Sequence, residues 1–152
     1  LLQPGGNLFG YPPTFDGDPS TLASTLNPNL EAGAFPSVAD YAKLLSMHLR
    51  GGLCGDERVL SEAAVRRLHA DRIFSAYGGS TGRGAFSGYG LGWWVDRESG
   101  LIADPGAYGA FPWIDHGRDY AGFIALEASA GVGEQIFRRV IPLVTEAIDA
   151  AR

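Results

Sequence analysis

A chain of 152 residues and 16.1 kDa is one domain's worth, long enough to bury roughly 70% of its unfolded surface and so to form a core. With 45% hydrophobic and 19% charged residues it falls outside the disordered classes, and no apolar run approaches the ~20 residues of a transmembrane helix. A formal charge of −5 and a pI near 5.1, with Arg66-Arg67 and Arg138-Arg139 the only cationic pairs, exclude general affinity for nucleic acid, so neither nucleic acid nor a membrane is expected as a partner.

Residues 1–30 are rich in Pro, Gly, Asn and Asp, with Pro12-Pro13 and Asp16-Gly17-Asp18-Pro19 marking turns, and read as a loop laid over a surface through Leu8, Phe9, Tyr11 and Phe15. The first helix signal is Ser37 as N-cap with Asp40 three residues on, ahead of Val38, Tyr41, Leu44, Leu45, His48 and Leu49, and Gly51-Gly52 ends it. Ser61 starts a second helix running to His69, with Leu60 and Val65 placed as a hydrophobic staple. Residues 75–88 form a glycine-rich connection that lacks the Gly-Lys-Ser/Thr ending of a phosphate-binding loop.

Residues 89–128 read as three consecutive antiparallel strands: Tyr89 to Val95, Asp104 to Asp115, and, after a turn through His116, Gly117, Arg118 and Asp119, Tyr120 to Ala128. The third is almost wholly apolar and is expected to be covered on both faces. Gly131 to Gly133 then separates the sheet from a last helix with Ile136, Phe137, Val140, Ile141, Val144 and Ile148 on one face and a kink at Pro142. The expected class is α+β, a three-strand antiparallel meander with flanking helices, divided as residues 1–30 and 31–152.

Chemistry is sparse. Cys54, the single cysteine, permits no internal disulfide, leaves the compartment open and reads as an inert thiol beside Gly51-Gly52 and Gly55. His48 reads as a core-edge histidine, His69 as a cation at a helix C-terminus, and Asp115-His116 as a polar turn. No His-x-x-x-His or Cys-x-x-Cys spacing exists, Asp16/Asp18 lack the longer ligand spacing of a calcium loop, and neither metal nor cofactor is expected. The only lysine is Lys43, with Asp40 three residues before it, so a Ser-x-x-Lys nucleophile motif is absent from these residues. The opening at Leu1, with Met47 the only methionine, suggests a processed product or fragment, and no basic region with a long apolar core marks a signal peptide there.

Four stretches carry a resemblance. They are Ala32-Gly33-Ala34-Phe35-Pro36-Ser37-Val38-Ala39-Asp40-Tyr41-Ala42-Lys43-Leu44-Leu45, then Arg58-Val59-Leu60-Ser61-Glu62-Ala63-Ala64-Val65, then Tyr89-Gly90-Leu91-Gly92-Trp93-Trp94-Val95, and Asp104-Pro105-Gly106-Ala107-Tyr108-Gly109 followed by Pro112-Trp113-Ile114-Asp115. In order and spacing they resemble the C-terminal part of the serine β-lactamase and penicillin-binding-protein family, in its class C, esterase and D-aminopeptidase-like branch.

That resemblance implies a parent enzyme that acylates a serine activated by a lysine and a tyrosine, both from motifs upstream of the matching region. It places the family's third motif, usually Lys-x-Gly or His-x-Gly on a strand beside the nucleophile, at Asp104-Pro105-Gly106. Gly106 fits and Asp104 replaces the cation. Asp104 would repel an anionic substrate, which favours a neutral ester or amide. Ala107 would offer its backbone N–H to the oxyanion, and Tyr108 would form a groove wall beside it. The nucleophile and general base would lie outside this chain, which would be inactive alone and would need the missing part of the parent, or self-association, to cover its exposed surfaces. The alternative is a non-catalytic binding or scaffold domain built on the same sheet.

Overall fold

A computed structural model describes Thr21, Leu26 and residues 36–81 and 84–152. The surface-loop expectation for residues 1–30, the calcium question at Asp16/Asp18 and the start of the first resembling stretch lie outside the described residues. The chain divides into two compact units, Leu1–Tyr41 and Ala42–Arg152, with the boundary inside the first helix, α1 (Val38–Leu49).

In the first unit, the helix start is capped as its residues require. Ser37 Oγ accepts the Asp40 N–H at 3.1 Å and donates to the Asp40 carboxylate at 2.7 Å, and its carbonyl accepts the Tyr41 N–H at 3.0 Å.

In the second unit, α1 stops at Gly51 and Gly52, whose φ of 62° and 101° continue no helix. A small hairpin follows, β1 (Leu53–Cys54) against β2 (Glu57–Arg58). Ser61 then caps α2 (Glu62–His69) by accepting the Ala64 N–H at 3.1 Å. A further helix, α3 (Arg72–Tyr77), was not expected. Asp71 caps it by accepting the Phe74 N–H at 3.1 Å, and the same carboxylate binds Arg97 at 2.6 Å and the Tyr89 N–H at 3.3 Å, so one acidic side chain ties the helix to the sheet. The glycine-rich connection therefore begins only at Gly78.

The sheet has five strands, not three, in the consecutive antiparallel order β3 (Gly88–Tyr89), β4 (Trp94–Val95), β5 (Ile102–Ala103), β6 (Phe111–Asp115) and β7 (Tyr120–Ile124). The aromatic run 89–95 is a hairpin rather than one strand. Gly92 takes φ 87°, and the Gly90 N–H closes the turn onto the Trp93 carbonyl at 2.7 Å. The 104–115 run is strand only from Phe111, because Gly106 N–H to the Ala110 carbonyl and Gly109 N–H to the Gly106 carbonyl close a loop in place of a ladder. The strand covered on both faces is β6, buried at all five positions, whereas β7 ends at Ile124, is half-buried throughout and forms the sheet edge.

One face of the sheet carries the core: Phe86, Leu101, Ala103, Phe111 and Trp113 around Phe137 of α4 (Ala130–Ala150), with Trp94, Tyr120, Ile124 and Ile141 packed at its margin. Phe111 and Phe137 stack with centroids 4.0 Å apart and planes 10° from parallel, and Trp113 meets Phe137 edge-on at 5.4 Å. The last helix starts earlier than the glycines suggest. Ser129 caps it, accepting the Val132 N–H at 3.4 Å, so Gly131 and Gly133 lie inside its first turns, and it runs through Pro142.

Candidate functional site

The loop between β5 and β6 holds the four residues singled out for the acyl site, off the strand on which the family pattern places them. Pro105 has no N–H to give a ladder, and the neighbouring amides close a local turn instead. The Asp104 N–H reaches the Pro112 carbonyl at 3.2 Å, Gly106 N–H the Ala110 carbonyl at 2.8 Å, and Gly109 N–H the Gly106 carbonyl at 3.1 Å. Tyr108 is held from outside the loop, its carbonyl accepting the Ala128 N–H at 2.8 Å.

Asp104, Ala107 and Tyr108 are exposed, with Tyr108 at 44%, and Gly106 is half-buried. The Ala107 N–H has no hydrogen-bond partner among the described residues, nor does that of Tyr108, whereas the amides of Asp104, Gly106 and Gly109 are bonded. The two glycines of the loop differ in what they need. Gly109 takes φ +90° and a Cβ there would lie 2.8 Å from Leu126 Cδ1, so the fold itself requires it. A Cβ at Gly106 would find only Ala110, at an ordinary 3.5 Å, so nothing in the described chain demands glycine at that position.

At the other end of β6 the structure assembles a cluster that the sequence reading dismissed residue by residue. His48 Nδ1 lies 3.0 Å from His69 Nε2, and His69 Nδ1 lies 3.1 Å from His116 Nε2, so all three histidines of the chain form one row. Trp93 stands edge-on to His48 at 5.2 Å and to His69 at 5.5 Å. Glycine-terminated α1 supplies His48, α2 ends on His69, and the β6–β7 turn supplies His116, so each ring sits where its element stops. The row borders a cavity of about 530 Å³ lined also by Gly51, Glu62, Val65 and Arg66.

Burial lowers the pKa of all three, with His69 carried down to about 3 by desolvation and then by the fields of His48 and His116. Desolvation of His116 outweighs the opposing pull of Asp115 and Asp119. Because His69 turns one nitrogen to each neighbour, the rings do not converge on one point, and among the described residues no group of three His, Cys, Asp or Glu is arranged to hold a metal ion. Separations of 21 and 47 residues hid the row; the one signal available was that the three histidines all fall at element ends.

Beside the last helix, Arg118 joins buried Asp115 at 3.2 Å to Asp149 at 2.9 Å, which fixes the β6–β7 turn against the C-terminal end of α4. Hydrogen bonds to Asp149 and then Asp115 raise the Arg118 pKa, so the guanidinium of this strut is charged at every accessible pH.

No family model matches the sequence, and no curated protein does. Among solved structures, the chain is similar to the crystal structure of a "putative beta-lactamase" from Bacteroides dorei DSM 17855, with 26% identity and a TM-score of 0.56 over 80% of this chain and 45% of that one. The chain thus spans a little under half the length of that structure. Its fold is β-lactamase-like: an antiparallel sheet with flanking helices.

Proposed function

We propose that this chain is the C-terminal part of a β-lactamase-like serine hydrolase that works through an acyl-enzyme on a neutral ester or amide, and that it is inactive by itself. The observation that carries the reading is the Ala107 N–H, unengaged among the described residues on an exposed loop, beside a Gly106 that the fold does not require. In the proposed step a serine oxygen from outside residues 1–152 attacks the substrate carbonyl carbon while its proton passes to a neighbouring base. The carbonyl oxygen becomes an oxyanion and accepts the Ala107 N–H, a bond worth roughly 3 to 4 kcal/mol in the transition state. The leaving group departs with that proton, and water then cleaves the acyl-enzyme by the same route. Gly106 keeps the approach to this amide open, and Tyr108 walls the groove.

Asp104 decides the substrate charge. Exposed on the loop, its carboxylate disfavours a carboxylate-bearing substrate. The same replacement favours a second reading, a binding or scaffold domain that keeps the sheet without the chemistry. Both are tested on the polypeptide translated from the whole coding sequence, assayed with p-nitrophenyl acetate and with an anionic ester such as p-nitrophenyl succinate. The hydrolase reading expects turnover of the acetate, little of the succinate, and a reversal of that preference in Asp104→Lys. Absence of turnover of either ester supports the scaffold and overturns the enzyme.

A further inference from the structure

The row of three histidines lies at the far end of β6 from the 104–110 loop, and the hydrolase reading makes no use of it. A neutral imidazole has one N–H and one bare nitrogen. A row of three is therefore satisfied when every N–H points the same way along it, each contact being one N–H···N bond. One extra proton can still be placed without breaking a contact, by turning His69 into a double donor or by charging one end. A second proton cannot, because it sets two N–H groups against each other across a 3.0 or 3.1 Å contact.

The surroundings offset that conflict only at the His116 end of the row, where desolvation outweighs the pull of the carboxylates. Glu62, on the cavity wall, is shared between Arg58 at 3.8 Å and Arg66 at 3.6 Å, and Arg66 brings a cation to the same wall. Asp115 and Asp119 favour the charged form of His116, but Asp115 already binds Arg118. Trp93 meets His48 and His69 at steep interplanar angles, 69° and 78°, and stacks on neither ring. His48 is only 8% exposed, so the inner end of the row meets little water.

We propose that the row is an acid-released clasp: while neutral it joins the C-terminal ends of α1 and α2 to the β6–β7 turn, and it releases the two helix ends from that turn when a second ring is protonated, the turn itself staying tied to α4 through Arg118. The direction follows from the shifts. The folded pKa values lie below 6.5, so the unfolded chain takes up protons first; the clasp stabilises fully above pH 6.5 and its contribution is lost progressively as pH falls from 6.5 toward about 3. His116, exposed on the turn, is where protons enter.

The test is an imidazole ¹H–¹⁵N NMR titration of the chain together with its Tm at pH 7.5 and pH 5, alongside His69→Gln, which keeps a donor and an acceptor but cannot titrate. The expected result is His69 titrating below pH 5 with coupled shifts at His48 and His116, a Tm lower by roughly 4 °C at pH 5, and a smaller pH slope in the variant. His69 titrating at pH 6 or above, or a Tm level across that range, overturns the clasp. The ring titration of the unaltered chain decides the matter by itself if His69→Gln does not fold.

Discussion

Two glycines two residues apart in α4 should respond to alanine with opposite signs. Gly133 presses its Cα against the loop that carries Gly106 and Ala107. A Cβ there would overlap the Gly109 carbonyl oxygen and lie 2.7 Å from the Gly109 carbonyl carbon and Cα, where ordinary contacts begin at 3.4 Å. Relief requires the helix and the loop to separate by more than about 0.7 Å, the difference of those two distances, since the carbonyl oxygen is closer still, and the obstacle is backbone rather than a side chain that can swing aside. Overpacking of this kind costs about 1 to 3 kcal/mol. The better helix propensity of alanine returns about 0.5 to 1 kcal/mol, leaving a net loss of roughly 1 to 2 kcal/mol. At Gly131 the nearest atom to a new Cβ is Ser129 Oγ at 4.0 Å, so Gly131→Ala keeps the propensity gain and should stabilise by about 0.5 kcal/mol. Urea denaturation of both variants, compared at unchanged m-value, measures the pair. A Gly133→Ala chain as stable as the parent would refute the claim that α4 and the 104–110 loop meet backbone to backbone.

Phe137→Ala removes the ring on which Phe111 stacks and Trp113 abuts, at a residue 6% exposed, and should cost about 3 to 5 kcal/mol by the same denaturation assay. Asp71→Ala deletes the α3 cap together with the bonds to Arg97 and the Tyr89 N–H; a loss of about 2 kcal/mol and faster amide exchange at residues 72–77 are expected. Although desolvation raises the Asp71 pKa, the Arg97 and backbone bonds lower it on balance, so its stabilisation is present above pH 4 and is lost as pH falls further, distinct from the histidine window above it. Ser61→Ala should cost about 1 kcal/mol, read as a shift in urea midpoint, through the uncapped Ala64 N–H.

Local chemistry made the starts of α1 and α2 legible, because Ser37 with Asp40 and Ser61 four residues before Val65 act within one turn of themselves, whereas the caps Asp71 and Ser129 of α3 and α4 went unread. The sheet was half legible. Its antiparallel order followed from the hydrophobic runs, but strand count did not, because Gly92 breaks an aromatic run that composition alone reads as continuous. Tyr120 to Ala128 reads as a strand covered on both faces for the same reason: apolar content signals burial without saying which neighbour supplies it, and here the fully buried strand is β6, while β7 is the sheet edge. Gly106 was conspicuous only through a family pattern, and the loop conformation of Ala107 depends on the Gly106 to Ala110 bond, which no spacing rule encodes. The histidine row was illegible residue by residue, since each ring has a bland local explanation and its partners are brought by other elements.

The account's central claim is that these residues hold one half of an acyl-transfer site, the oxyanion half. Labelling with a fluorophosphonate probe tests it directly, using the 152-residue chain and, beside it, the polypeptide translated from the whole coding sequence. The account predicts no label on the chain alone, stoichiometric label on the longer polypeptide, and loss of that label in its Gly106→Val variant, where a branched side chain blocks the approach to the Ala107 N–H. Stoichiometric labelling of the chain alone, or full labelling of the Gly106→Val polypeptide, would contradict it.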